Sequence, residues 1–188
     1  MIRKFGASGI DFQPKGLDLG LGSGVIKTIQ TGESTIAASS TFANVAIASV
    51  DITKSIVLIT YSTAGAGLYV QYAQTSGYLS GATSLRLERY SSDANIINVS
   101  WQVIEFTSAV KVQMGAIGAS FMSTTATVTA VNLSKAIVFI NYNCNNASYT
   151  QYASVQLLAK LTSTTVLTVK NTYSTMVYNV NWYVVELP

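Results

Sequence analysis

Polar and apolar residues alternate along much of this chain with a period of two, the period of a strand that buries one face. Thr125-Ala126-Thr127-Val128-Thr129-Ala130-Val131 alternates cleanly, as do Leu85 to Arg89 and Val166 to Lys170. Ile56-Val57-Leu58-Ile59-Thr60-Tyr61 and Ile137-Val138-Phe139-Ile140-Asn141-Tyr142 are apolar nearly throughout, the pattern of central strands covered on both faces. Turn residues (Thr63 to Gly67, Ser80-Gly81, Ser91-Ser92-Asp93, Asn143-Cys144-Asn145-Asn146) separate these runs at the roughly 8–12-residue spacing of an antiparallel sandwich. No stretch carries helical periodicity with caps. The pattern predicts an all-β chain.

The same pattern occurs twice. Val50-Asp51-Ile52-Thr53-Lys54-Ser55-Ile56-Val57 returns as Val131-Asn132-Leu133-Ser134-Lys135-Ala136-Ile137-Val138. Val99-Ser100-Trp101-Gln102-Val103-Ile104-Glu105-Phe106 returns as Val180-Asn181-Trp182-Tyr183-Val184-Val185-Glu186-Leu187. Between these blocks Tyr69-Val70-Gln71-Tyr72-Ala73 matches Tyr149-Thr150-Gln151-Tyr152-Ala153, and upstream Ile29-Gln30-Thr31-Gly32 matches Val112-Gln113-Met114-Gly115. Four blocks in one order mark a duplication. The expected organisation is two tandem antiparallel β-sandwiches, jelly-roll-like, over residues 25–106 and 107–188, of about six to eight strands each. Residues 1–24 lie outside both copies. They are broken by Gly6, Gly9, Gly16, Gly20, Gly22 and Gly24 and by Pro14, yet carry Phe5, Ile10, Phe12, Leu17 and Leu19. They read either as a frayed terminus or as an extended arm whose apolar residues dock on a partner subunit.

Composition narrows the chemistry. Charged residues are 10% of the chain, well below the roughly 25% of ordinary soluble domains, while Ser and Thr make up about 23%. There is no histidine and one cysteine, Cys144. A Ser-His-Asp or Cys-His relay, a histidine or cysteine-cluster zinc site and an intrachain disulfide are thereby excluded. The net charge of +3 is spread thinly over 11 basic residues and forms no nucleic-acid footprint. No apolar run reaches the ~18–20 residues of a spanning helix. Asp11, Gln13, Lys15 and Asp18 interrupt what would have to be the apolar core of a secretory signal, so none is expected. No metal, cofactor, membrane or nucleic acid is expected as a partner.

Few residues remain as candidates for function. Trp101 and Trp182 hold the same place in the two copies, flanked by alternating valines, and read as core plugs or, alternatively, as sugar-stacking platforms. Glu105 and Glu186 recur, as do Lys54 and Lys135, and Arg89 with Lys170. These charges read as Lys–Glu pairs or as carboxylates accepting backbone N–H groups near strand ends. Catalysis by carboxylates would need two of them across a cleft. Of the 11 tyrosines, Tyr69, Tyr72, Tyr149 and Tyr152 sit in the repeated Tyr-x-Gln-Tyr block. Read as a strand, that block points half of them outward, for packing or for subunit or ligand contact. Cys144 has no basic neighbour in sequence and is not read as reactive.

The opening Val25-Ile26-Lys27-Thr28-Ile29-Gln30-Thr31-Gly32, the block Val50 to Val57 and the closing Trp101-Gln102-Val103-Ile104-Glu105-Phe106 resemble small bacteriophage and prophage virion proteins, tail- or fibre-associated or on the head surface. The resemblance spans the first copy and rests on strand signatures. It implies a structural role in the virion; with no paired carboxylates and no secretory signal, the expectation is a non-enzymatic part assembled in the host cytoplasm. It also implies a homo-oligomer but does not separate head from tail; the expectation is a tail, fibre or baseplate component, with capsid decoration or a head fibre as the alternative. Arm 1–24 would then join it to other virion proteins. A carbohydrate-binding, lectin-like module that meets host-surface glycans is the alternative.

Overall fold

The computed structural model describes residues 24–63, 70–120, 122–145, 156–171 and 177–188. The arm residues Phe5, Ile10, Phe12, Leu17 and Leu19, and Tyr69, Tyr149 and Tyr152, lie outside the described residues.

The chain is all-β, built as four three-stranded antiparallel sheets. The first repeat contributes β1 (Ile26–Ile36), β2 (Phe42–Ala46), β3 (Ser55–Thr63), β4 (Thr75–Gly81), β5 (Ser84–Arg89) and β6 (Ile97–Phe106). The second contributes β7 (Lys111–Ser120), β8 (Ser123–Thr127), β9 (Ala136–Cys144), β10 (Leu158–Ser163), β11 (Val166–Lys170) and β12 (Val177–Glu186). Strand orders are β1-β6-β3 with β2-β5-β4, and β7-β12-β9 with β8-β11-β10. In each repeat the first strand pairs with the last and the second with the fifth, while the third and fourth fall in different sheets. This nested order is that of a long hairpin rolled over on itself, the winding of a jelly roll reduced to six strands.

Alternation decides which side chains go inward. Along β6, Ile97, Val99, Trp101 and Val103 are buried while Asn98, Ser100 and Gln102 are exposed. Ile36, Val57, Leu85 and Leu87 join them in one core. Val128, Leu167, Val169, Tyr178, Val180, Trp182 and Val184 form the second. The first core also takes in Tyr183 and Val185 from β12, on the face of that strand turned away from its own core.

The apolar runs Ile56 to Tyr61 and Ile137 to Tyr142, expected to be central strands, lie in the edge strands β3 and β9, and β6 and β12 take the central places. Two short elements also depart from the expected pattern. Residues 70–73, read from sequence as strand, form one helical turn, α1 (Val70–Ala73). The Thr125–Val131 alternation leaves the sheet at Thr127. Beyond it, the Val128 and Val131 amides bond to the turn carbonyls of Thr165 and Thr164, so the chain wraps the β10–β11 hairpin. Val50 and Ile47 wrap the β4–β5 hairpin in the same way.

Candidate functional site

The conserved spacing within the repeats has a physical cause. Gly32 lies opposite Trp101 across β1 and β6, and Gly115 opposite Trp182 across β7 and β12. A Cβ at either glycine would stand 2.5 Å from the indole Cζ2, so only glycine admits the ring. Two residues earlier, Gln30 donates to the Ala48 carbonyl (3.0 Å) and accepts from the Ala48 amide (2.8 Å). Gln113 makes the same pair of bonds to Thr129, at 2.9 and 2.6 Å. Gln-x-Gly is therefore a clamp for the crossing chain followed by a seat for a tryptophan. Both tryptophans are 7% exposed, inside the cores.

The repeated acids are clamps too. Glu105 accepts from Lys27 Nζ (2.7 Å), the Asp51 amide (3.1 Å) and Thr28 Oγ1 (3.4 Å). Glu186 accepts from the Asn132 amide and from Lys111 Nζ, both at 3.2 Å. Lys27, then the Asp51 amide, hold the Glu105 carboxyl below its ordinary range despite its burial. The Asn132 amide, then Lys111, do the same for Glu186. Asp51 and Asn132 in turn accept from Thr53 and Ser134, closing an Asx turn. The lysines in these pairs are Lys27 and Lys111; the repeated Lys54 instead reaches the Val110 carbonyl at 3.1 Å.

The sequence aligns Arg89 with Lys170, but the fold places it opposite Asn171. The Arg89 amide bonds to Thr41 and the Asn171 amide to the equivalent Met122, because the second repeat holds one more residue before this hairpin. The Arg89 guanidinium is fully buried, with a side-chain exposure of 0%. It donates to the carbonyls of Ser40, Tyr72, Asn95 and Ala37 and to Asp93 Oδ1 at 2.8 Å. Burial pushes the Asp93 carboxyl up, but bonds from Asn95 and the Arg89 charge outweigh it and hold it low. Arg89 thus ties three loops together, including one with Ser39 at φ 61°. In the second repeat Asn171 donates to the buried Tyr178 hydroxyl instead. Tyr72, from the tyrosine block, sits half-buried on α1 with its carbonyl on Arg89.

The most specific assembly of side chains lies between the repeats. The outward row of the β7-β12-β9 sheet packs on the β3 and β4 edges of the first repeat. Asn141 accepts from the Gly77 amide (2.9 Å) and donates to the Val57 carbonyl (3.3 Å), satisfying groups on two different edge strands. Asn143 donates to Ser76 Oγ (2.9 Å) and the Glu88 carbonyl (3.3 Å). The Cys144 thiol donates to Gln74 Oε1 at 2.9 Å. Asn143 and Cys144, read from sequence as a loop tip, are therefore buried ends of β9: the first repeat covers Asn143, while Cys144 points the other way into the second core. Tyr183 is 4% exposed here, and burial pushes its hydroxyl up to about 12. Sheet edges need cover, and here a sheet face supplies it. Comparing the copies position by position would have located this surface: Gln102 and Ile104 on the first copy's outward face become Tyr183 and Val185 on the second.

The first repeat's corresponding face is open. Glu33, Thr35, Thr60, Ser62, Asn98 and Ser100 line a trough of about 500 Å³ across β1, β6 and β3. All six are exposed. Tyr61, between Thr60 and Ser62 on β3, stands opposite the buried Val99 and so belongs to the other face of the sheet. Among the described residues no three His, Cys, Asp or Glu side chains gather to hold a metal ion. Among the same residues no helix is long and apolar enough to cross a membrane. Comparison of the chain with family models, curated proteins and solved structures finds no match to any of them.

Proposed function

We propose that this chain is a non-enzymatic structural protein of a bacteriophage particle, exposed on its surface and homo-oligomeric. The proposed location is the tail, fibre or baseplate, reached by anchoring the arm 1–24 in a larger assembly after synthesis in the host cytoplasm. The virion part rests on the resemblance of the opening and closing strand motifs of the repeat. The structural part rests on one observation: two tandem repeats stack face to edge, with the edge groups of one satisfied by asparagines of the other. This is the way of building an extended assembly from copies of one unit. The use of the charges supports it, since Glu105, Glu186 and Arg89 are each bound to backbone groups and hold loops in place. Capsid decoration or a head fibre would use the same physical design.

The lectin-like alternative draws on the hydroxyl- and amide-lined trough. It gains nothing from Tyr72, which is half-buried on α1. Light scattering on the full chain and on a chain lacking 1–24 tests the proposal. A discrete oligomer for the full chain is expected, and its loss on trimming would make the arm the assembly device. A 20 kDa monomer in both cases, together with retention on a glycan array, would replace the proposal with the binding-module reading.

A further inference from the structure

The internal packing leaves two surfaces unmatched. The second repeat's outward face covers the β3–β4 edges, while the equivalent face of the first repeat, the trough, is exposed. Conversely, the first repeat's β3–β4 edges are covered, while among the described residues nothing is laddered to the equivalent edges of the second repeat: there β9 pairs only with β12, and β10 only with β11. Leu158, which takes the place of buried Ser76, is 59% exposed. The registers make the equivalence concrete: Thr60 and Ser100 occupy the places of Asn141 and Asn181, and Ser62 and Asn98 those of Asn143 and Asn179. Hydroxyls and amides replace amides, so the trough keeps the donors and acceptors that bind strand-edge backbone. Glu33 adds an acid to the trough, and the open edge carries the exposed Lys160.

We propose that the trough on β1-β6-β3 of one molecule receives the β9–β10 edge of a second copy, repeating between chains the face-to-edge contact made within one. The inference rests on the assembly reading above and specifies its contact. Because the two surfaces differ, the association is head-to-tail. It closes into a ring where the rotation allows and otherwise extends as a fibre.

The test uses two full-length variants, Ser100→Arg in the trough and Leu158→Arg on the edge, each at an exposed position, with sedimentation velocity as the readout. Each variant alone is expected to be monomeric. Mixed, they are expected to form a 1:1 dimer of about twice the 20.0 kDa chain, because each retains the surface the other lacks. Dimer formation on mixing also demonstrates that both variants are folded. If both variants keep the parent oligomer, the trough and edge are not the contact; this inference falls and the assembly reading stands. Monomeric variants that fail to combine, while circular dichroism shows both folded, point to a two-fold contact and also overturn it. A parent chain that is monomeric up to about 100 µM overturns the inference and the assembly reading together. Glycan retention lost in Ser100→Arg with an unchanged mass would assign the trough to a sugar instead.

Discussion

The glycine–tryptophan seat gives the sharpest test of how the repeat is packed. In Gly32→Ala the new methyl would stand 2.5 Å from Trp101 Cζ2 and 2.9 Å from Cε2. Carbon atoms rest at about 3.5–4.0 Å, so the overlap is roughly 1 Å. The indole is 7% exposed and wedged in the core, so it cannot swing aside. Overpacking of this kind costs about 1–3 kcal/mol. Removing a glycine from the unfolded chain returns about 0.4–1 kcal/mol. The net expectation is a loss of about 1–2 kcal/mol. With a urea slope of about 2 kcal/mol/M, the unfolding midpoint falls by roughly 0.5–1 M. The assay is urea unfolding followed by far-ultraviolet circular dichroism, with two comparisons. Gly81→Ala, where a Cβ meets nothing within 4 Å, should be neutral or slightly stabilising. In a Trp101→Leu background, Gly32→Ala should cost nothing, a coupling of about 1–2 kcal/mol. Gly115→Ala with Trp182 should behave alike, since its Cβ would meet the ring at 2.5 and 2.8 Å. A Gly32→Ala chain as stable as its parent, or full additivity with Trp101→Leu, would refute the reasoning.

Four further outcomes follow from the same geometry. Asn141→Ala strips partners from the Gly77 amide and the Val57 carbonyl; it should cost about 2 kcal/mol and separate the unfolding of the two repeats in calorimetry. Arg89→Met removes the buried cation that pairs with Asp93 and the donor to the Ser40, Tyr72, Asn95 and Ala37 carbonyls, and should cost about 3–5 kcal/mol by urea unfolding, whereas a loss under 1 kcal/mol would contradict the clamp. The folded-state pKa of Glu105 is below the ordinary 4.5, so its contribution is present above that value and is lost as pH falls through the folded value. The midpoint should therefore decline on acidification from neutral pH to about 3, and less steeply in Glu105→Gln. Ser39→Gly relieves a left-handed backbone and should raise stability by up to about 1 kcal/mol, read as a higher thermal midpoint.

Alternation and β-branched content were enough to make the chain all-β, because a two-residue period buries one face of a strand whatever its neighbours are. The duplication was legible for a related reason. Gln30, Gly32, Trp101 and Glu105 recur in order, with Asp51 replaced by Asn132, because each makes a contact within its own repeat, and that contact must be kept in both. The tertiary structure decided the rest. Asn143 and Cys144 carry turn-forming chemistry in sequence, yet lie buried in β9, Asn143 because the first repeat covers it and Cys144 because it enters the second core. Tyr72 belongs to a segment that alternates like a strand, but one helical turn brings its carbonyl to Arg89. Arg89 itself gave no local sign of its role, since its partners lie in loops far apart along the chain. Which sheet face stays open was undecided for the same reason. Local pattern sets the inward side of a strand, but what meets its outward side depends on how two finished units dock.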